Sequence, residues 1–127
     1  MLEFSPQLRV VYRNGVAVVY FPATDMSEET ALALGRQLYA LAGTPRTCRF
    51  LIDLAAVSCL SSAVLGKVIG LYKMARQRGG GLAICSARPD VAARLVSMRL
   101  DKLFPIYPTE AEALADWCAL RSLVPVG

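Results

Sequence analysis

Two adjacent serines, Ser61 and Ser62, stand where a side-chain hydroxyl is well placed for chemistry. They follow a short, mostly apolar run at residues 49–54, which suits a strand buried on both faces. Beyond them, apolar residues recur at helical spacing from Val64 to Ala75. One of the two serines should therefore lie at the start of a helix. Its hydroxyl would either cap the free backbone N–H groups of the first turn or carry a phosphate that those groups favour.

Most enzymatic chemistry is disfavoured by what the sequence lacks. It contains no histidine, which removes Ser–His and Cys–His nucleophilic pairs. The serines also lie outside a G-x-S-x-G nucleophile elbow. The carboxylate of Asp53 is expected to hydrogen-bond the turn that follows its strand. We therefore predict a protein that is not an enzyme and has no catalytic residues.

The cysteines and glycines do not form a recognisable ligand site. No C-x-x-C pair is present, so we predict no metal site and no cofactor. The run of glycines at residues 79–81 follows a helix and precedes a strand, the reverse of a phosphate-binding loop, and is interpreted as a turn. The four cysteines are predicted to be small buried residues, and they are Cys48, Cys59, Cys85 and Cys118.

The composition is that of one folded domain, with 127 residues of which 55% are hydrophobic and 19% charged. The formal net charge of +4 comes from scattered residues. Because these form no basic stripe, direct nucleic-acid binding is not expected. The uncharged stretches are too short to span a bilayer, and the first residues do not resemble a signal peptide. We expect a cytoplasmic protein without a membrane contact.

The first part of the chain predicts a β-hairpin followed by a helix. Asn14-Gly15, the pair preferred by a tight type I′ turn, separates two runs rich in β-branched and aromatic residues. We place the two strands at about residues 8–13 and 16–21. The apolar spacing of the following segment predicts a helix that ends at Gly43.

The remaining elements alternate between strands and helices. The predicted order β–β–α–β–α–β–α–β–α is typical of an α/β fold with one mixed sheet, parallel after the opening hairpin and packed with about four helices. The serine pair then lies at the carboxyl end of a central strand, the edge where ligands bind in such sheets. The later elements are a strand at 49–54, a helix after the serines, a strand at 82–85, a helix from Pro89, a strand at 106–107 and a helix capped by Thr109.

The same periodicities predict several packing details. Gly66 and Gly70, four residues apart in the long helix, are predicted to allow close packing on the sheet. Met98 is predicted to share the apolar face of the third helix with Val91 and Leu95. Two further predictions are Asp25 or Ser27 as the cap of the first helix, and Trp117 and Leu120 in the buried face of the last.

Together these parts resemble a STAS domain, the fold of bacterial anti-anti-sigma factors, which are also called anti-sigma factor antagonists. The resemblance covers nearly all of residues 8–121 and implies a single STAS domain over 1–127. It rests on the segments LIDLAAVSCL, SSAVLG, KVIGLYKMARQRGGG, LAIC, RPDVAARLVSMRLDKLF and TEAEAL, in that order.

The family signature D-S-[ST]-G-L-G falls on the segment SSAVLG. Ser61 stands where the family has aspartate, and Ser62 falls on the serine that the family's partner kinase phosphorylates. Ala63 replaces the second serine or threonine, and Val64 replaces the first glycine. The last two residues of the signature, leucine and glycine, are retained.

The resemblance implies a regulatory binding protein. The unphosphorylated domain would bind an anti-sigma factor that is also an ATP-dependent serine kinase, which frees the sigma factor for transcription. Phosphorylation of Ser62 would end the binding, and a phosphatase would reset it. Ser61 is the second choice of phosphoacceptor, and the protein is expected to be a monomer or a weak dimer.

The expected partner-binding residues lie at the start of the long helix and in the segment after the third helix. An alternative is a STAS domain that no longer switches and acts as a scaffold or ligand-sensing module in a larger signalling assembly. The altered signature motivates this alternative. The partner-binding residues are expected to be Ser61, Ala63, Val64, Leu65, Lys67 and Arg99.

Overall fold

The structure is a computed structural model that describes residues 8–23, 28–44, 47 and 49–123, without the side chains of residues 28 and 117–123. Its elements follow the predicted order, with a short 3₁₀ turn between the third helix and the last strand. In chain order they are β1 (Arg9–Arg13), β2 (Val16–Tyr20), α1 (Glu28–Ala42), β3 (Arg49–Asp53), α2 (Ser62–Gln77), β4 (Gly81–Cys85), α3 (Pro89–Ser97), the 3₁₀ turn (Leu100–Lys102), β5 (Ile106–Tyr107) and α4 (Glu110–Leu123).

The opening hairpin is confirmed, with β1 and β2 antiparallel and Arg13 opposite Val16. Asn14 and Gly15 have φ angles of 53° and 80°. A two-residue type I′ turn needs positive φ at both positions, and asparagine and glycine adopt it at the lowest cost. The Asn-Gly pair therefore fixes the register of the two strands.

The sheet has the order β1-β2-β3-β4-β5. After the antiparallel hairpin, β2–β3, β3–β4 and β4–β5 are all parallel, as predicted. The central strand β3 ends at Asp53, which is opposite Tyr20 on one side and Cys85 on the other. The loop to the serine pair consequently leaves from the middle of the sheet's carboxyl edge.

Helices cover both faces of the sheet, so its strands are buried on both sides. One face packs against α1, α2 and α3 through a single large core that includes Phe50, Ile52 and Ile84. The other face carries Leu51 and the small residues of β4, and it packs with Ala113 of α4. Burial on both faces explains why the inner strands are continuous apolar runs rather than alternating ones.

The start of α4 is held to the sheet by polar contacts. The Tyr20 hydroxyl donates a hydrogen bond to Glu110 at 2.6 Å, and Arg13 forms an ion pair with the same carboxylate at 3.1 Å. Burial, together with this hydrogen bond, raises the pKa of Tyr20 above its usual value. The predicted cap of α4 is confirmed, because Thr109 Oγ1 accepts a hydrogen bond from the Glu112 backbone N–H at 3.1 Å.

The prediction that Gly66 and Gly70 pack on the sheet is wrong. Gly70 faces α1, where a methyl group in its place would overlap the Tyr39 hydroxyl. Gly66 is exposed, and nothing lies within 4 Å of the position that its Cβ would take. Close packing therefore occurs between two helices. Gly35 of α1 contributes to it, because a Cβ added at Gly35 would lie 2.7 Å from Cδ of Lys67.

Two predicted burials are also wrong. Met98 is 40% exposed, because α3 ends at Ser97 and only Val91 and Leu95 of this segment's predicted face are buried. Cys59 is exposed in the loop before α2, whereas Cys85 is buried as predicted. The predictions for Asp25, Ser27, Cys48, Cys118 and the side chains of Trp117 and Leu120 fall outside the described residues.

Within the described ranges, none of the helices has the length and apolar character needed to cross a membrane.

The two glycines of α2 give a matched pair of stability predictions. Gly66→Ala should raise the free energy of unfolding by about 1 kcal/mol, because alanine is the better helix former and the site is open. Gly70→Ala should lower it by about 1–3 kcal/mol, because the added methyl group forces α1 and α2 apart at Tyr39. Urea unfolding followed by circular dichroism measures both. Equal stabilisation by the two substitutions would contradict the tight α1–α2 contact, and Tyr39→Phe should recover part of the Gly70→Ala loss.

Candidate functional site

The site begins with the turn that follows the central strand. Asp53 is 8% exposed. Its Oδ1 accepts a hydrogen bond from the Ala55 backbone N–H at 2.9 Å, and its Oδ2 lies 3.6 Å from the Cys85 thiol, which donates to it. The prediction that this carboxylate bonds the following turn is confirmed. Burial, reinforced by the neighbouring Asp53 carboxylate, raises the pKa of the Cys85 thiol to about 12, so this cysteine is a structural donor.

Ser61 caps α2. Its backbone is extended, with φ −86° and ψ 159°, and its Oγ accepts a hydrogen bond from the Val64 backbone N–H at 3.2 Å. Its carbonyl oxygen accepts the first bond of the helix, from the Leu65 backbone N–H at 3.0 Å. This is the geometry expected of a serine N-cap. The Ser61 hydroxyl is therefore committed to the backbone.

Ser62 is the first residue of α2, and its side chain is exposed. Its hydroxyl oxygen lies 3.5 Å from Nη2 of Arg94 on α3, at the long end of hydrogen-bond distance. The two serines thus have different roles in the fold. Ser61 fixes the start of the helix, and Ser62 presents a hydroxyl to solvent beside an arginine.

The residues after Ser62 divide between the core and the surface. Val64 and Leu65 are 0% and 1% exposed and belong to the large core. The expectation that these two side chains contact a partner is corrected, because both point toward the sheet and a partner has no access to them. Ala63 is half-buried at the rim of this core.

The other two expected contact residues lie apart from each other. Lys67 is half-buried, and its stem packs beside Gly35 with its ammonium 5.9 Å from the centroid of the Tyr39 ring. Arg99 is exposed, follows α3 and has a left-handed backbone with φ 61°. Arg99 therefore lies in the segment that links α3 to the 3₁₀ turn, and Lys67 lies against α1.

Two arginines of the α3 segment lie near the candidate site. The first turn of α2 contains no acidic residue. On the neighbouring segment, Arg88 Nε donates to the Ala55 carbonyl oxygen at 3.3 Å, and Arg94 approaches Ser62. The sequence pattern did not indicate Arg94, because 32 positions separate it from Ser62 and no local spacing predicts such a contact.

Three large apolar side chains are exposed at the end of α3 and in the segment that follows it. Val96, Met98 and Leu103 are 53%, 40% and 43% exposed. Exposed apolar side chains of this size are candidates for contact with a protein partner.

A pocket of 310 Å³ is lined in part by the Asp53 turn. The guanidinium of Arg9 stacks over the Tyr20 ring, 4.3 Å from its centroid. The pocket opens at the carboxyl edge of β2 and β3, where α/β sheets commonly bind ligands. Its lining residues are Arg9, Tyr20, Phe21, Pro22, Asp53, Ala55 and Ala56.

In the part of the chain that the structure describes, no three histidine, cysteine, aspartate or glutamate side chains come together as a metal site.

Comparison with known proteins identifies the family to which this fold belongs. Residues 7–113 match the STAS domain family. The chain belongs to this family, as its signature segment had suggested.

Relatives and solved structures match this chain over most of their length. The chain is 26% identical over 110 residues to the anti-sigma F factor antagonist of Paenibacillus polymyxa, covering 87% of this chain and 93% of that protein. A STAS domain protein of Planctomyces limnophilus, described as an anti-sigma-factor antagonist, has a TM-score of 0.76 at 26% identity over 86% of this chain and 96% of that one. An anti-sigma factor antagonist of Mycobacterium paratuberculosis has a TM-score of 0.72 at 30% identity, over 88% and 93% of the two chains.

The two serines should differ in their contribution to stability. Ser61→Ala removes the cap of α2 and should lower the free energy of unfolding by about 1 kcal/mol. Ser62→Ala should change it by less than about 0.5 kcal/mol, because the side chain is exposed. Both are measured by urea unfolding. Ser61→Asp is the control, since aspartate also caps helices and should restore most of the loss; equal effects of the two alanine variants would contradict the assignment of Ser61 as the cap.

Proposed function

We propose that this protein is an anti-sigma factor antagonist in which phosphorylation of Ser62 ends the binding of an anti-sigma factor that is also a serine kinase. The observation that carries the proposal is the separation of roles between the two serines. A kinase needs a hydroxyl that it can reach, and the Ser62 side chain is exposed at the first residue of α2. Ser61 holds the helix start in place while its neighbour is modified.

The proposed modification is a phosphoryl transfer. A bond forms between Ser62 Oγ and the γ-phosphorus of ATP while the bond from that phosphorus to the bridging oxygen breaks, and ADP leaves. The hydroxyl proton passes to a base supplied by the kinase. The phosphatase that resets the switch would hydrolyse the Oγ–phosphorus ester with water and release inorganic phosphate.

The phosphate would act on binding through its charge. It adds about −1.5 to −2 charges at neutral pH to a surface that carries a neutral hydroxyl. Facing an apolar or acidic partner surface, this charge has to be desolvated or is repelled. A cost of about 3 kcal/mol reduces the affinity by more than a hundredfold, which is enough for a switch.

The proposed contact surface extends from the start of α2 to the segment after α3. It retains the expected residues that reach the surface and gains the exposed apolar residues at the end of α3 and in the segment after it. Val64 and Leu65 are left out because they are buried. The members are Ser61, Ser62, Ala63, Lys67, Arg99, Val96, Met98 and Leu103.

The phosphoacceptor is tested by intact-mass spectrometry after incubation with a candidate anti-sigma kinase and ATP. The wild-type chain should gain one phosphate, and Ser62→Ala should gain none. Ser61→Ala is the matched control and should still be labelled. Phosphate on Ser62→Ala would mean that another residue is the phosphoacceptor, and Ser61 would be the next residue to test.

The effect of charge on binding is tested with two variants of Ser62 that have nearly the same shape. Ser62→Asp should weaken binding of the anti-sigma kinase by more than about tenfold, because it places a carboxylate in the interface. Ser62→Asn, which is neutral, should bind within about threefold of the wild type. Isothermal titration calorimetry gives both affinities. An equal loss in the two variants would mean that shape rather than charge controls the interface.

A second candidate is a STAS domain that does not switch and acts as a scaffold or ligand-sensing module in a larger signalling assembly. The pocket beside Asp53 favours it, because an arginine and a carboxylate line the same concave space. The changes at Ser61, Ala63 and Val64 relative to the family signature also favour it. Absence of phosphate on the wild-type chain, with a kinase shown to be active on another antagonist, would support this candidate over the switch.

A further inference from the structure

We propose that Arg94 binds the phosphate on Ser62, so that the phosphorylated protein forms an internal charge pair between α2 and α3. The inference rests on the proposed function, since it takes Ser62 as the phosphoacceptor, and it adds a regulatory contact within the chain. Its experimental test does not depend on the kinase.

The distance between the two side chains supports this pair. Nη2 of Arg94 already lies 3.5 Å from Ser62 Oγ, and both side chains are exposed. A phosphate adds three acceptor oxygens beyond Oγ. The planar guanidinium can donate two parallel hydrogen bonds to two of them, which makes arginine the preferred partner of phosphate.

The charges around Ser62 favour the same pair. The first turn of α2 has no acidic residue, and the nearest charged residue along this helix is Lys67, whose side chain turns toward α1. The buried carboxylate of Asp53 already accepts hydrogen bonds from the Ala55 N–H and the Cys85 thiol. Arg88, at the start of α3, donates to the Ala55 carbonyl oxygen.

Asp90 is the acidic residue placed to compete for Arg94. It lies one turn earlier on α3, a spacing that brings two side chains onto the same face of a helix. Asp90 carries a single negative charge, whereas the phosphate carries close to two. Phosphorylation should therefore draw Arg94 toward Ser62.

Pairing would change the surface in two ways at once. The phosphate adds negative charge at the start of α2, and Arg94 is no longer available to an acidic group on a partner. A partner that uses both Ser62 and Arg94 then loses two contacts through one modification. Within the chain, Arg94 would hold the phosphate in one position and is therefore a positioning residue.

The test uses the full chain with phosphoserine placed at position 62 during translation, and it follows the ³¹P chemical shift against pH. A nearby positive charge stabilises the dianionic phosphate, so the second pKa of the phosphate should lie below its ordinary value of about 6. Arg94→Gln should raise the midpoint by about 0.5 pH unit, the size expected for an exposed ion pair. Arg94→Lys should give an intermediate value, because it keeps the charge and loses the planar fork.

Arg76→Gln is the matched control, since it removes one arginine at the far end of α2, about 20 Å from Ser62 along the helix. Its midpoint should equal that of the phosphoserine protein with all its arginines, because screening at physiological salt acts over about 8 Å. No shift in Arg94→Gln, or the same shift in both variants, would overturn the pair. The difference in midpoint between the phosphoserine protein that retains Arg94 and its Arg94→Gln variant should also shrink with added salt, because salt screens an exposed ion pair. A difference that does not change with salt would count against the pair.

The inference and the proposed function can fail separately. A shift in Arg94→Gln, with no labelling of Ser62 by any kinase, would support the charge pair and count against the switch. Labelling of Ser62, with no shift in Arg94→Gln, would support the switch and overturn the charge pair.

Discussion

The hydrogen bond from the Val64 N–H to the Ser61 hydroxyl is the interaction on which the candidate site depends. It ends the loop from β3 and fixes the residue at which α2 begins. With the start of the helix fixed, the helical repeat determines which side chains face the core. Val64, Leu65 and Val68 turn toward the sheet, and Ser62 and Gly66 turn toward solvent. A start one residue later would rotate this whole pattern by about 100° and expose core side chains.

The same loop is held at its other end by Asp53. Its carboxylate oxygens bind one group in the turn and one on the neighbouring strand, β4. The loop between β3 and α2 is thus fixed by a buried acid at its beginning and by a serine cap at its end. This loop can hold the Ser62 hydroxyl in a defined position. Its conformation is fixed by Asp53 and Ser61, and neither of these is the residue proposed to be modified.

Local signals in the sequence account for most of the fold. The Asn14-Gly15 pair and Thr109 before α4 act within four residues, and both were predicted correctly. A serine at the start of α2 was also predicted, but the sequence left open which of Ser61 and Ser62 caps the helix. Long-range contacts were not predictable in this way. The contact of Tyr39 with Gly70 and that of Arg94 with Ser62 depend on how whole helices pack. The spacing of residues along one segment does not encode this packing. The error over Val64 and Leu65 is of another kind, since the periodicity that placed them on the apolar face of the helix already implied burial.

The replacement of the family's aspartate by Ser61 is consistent with both the observed cap and the proposed switch. Aspartate and serine are among the best N-cap residues, because either supplies an oxygen to the free N–H groups of the first turn. They differ in charge, and an aspartate next to Ser62 would repel a phosphate placed there. Serine keeps the cap and removes that repulsion, while Arg94 adds a positive charge on the other side. In this chain the stability of the helix start depends on Ser61, whereas the electrostatics of the proposed phosphoacceptor depend on Arg94. A change in one need not disturb the other.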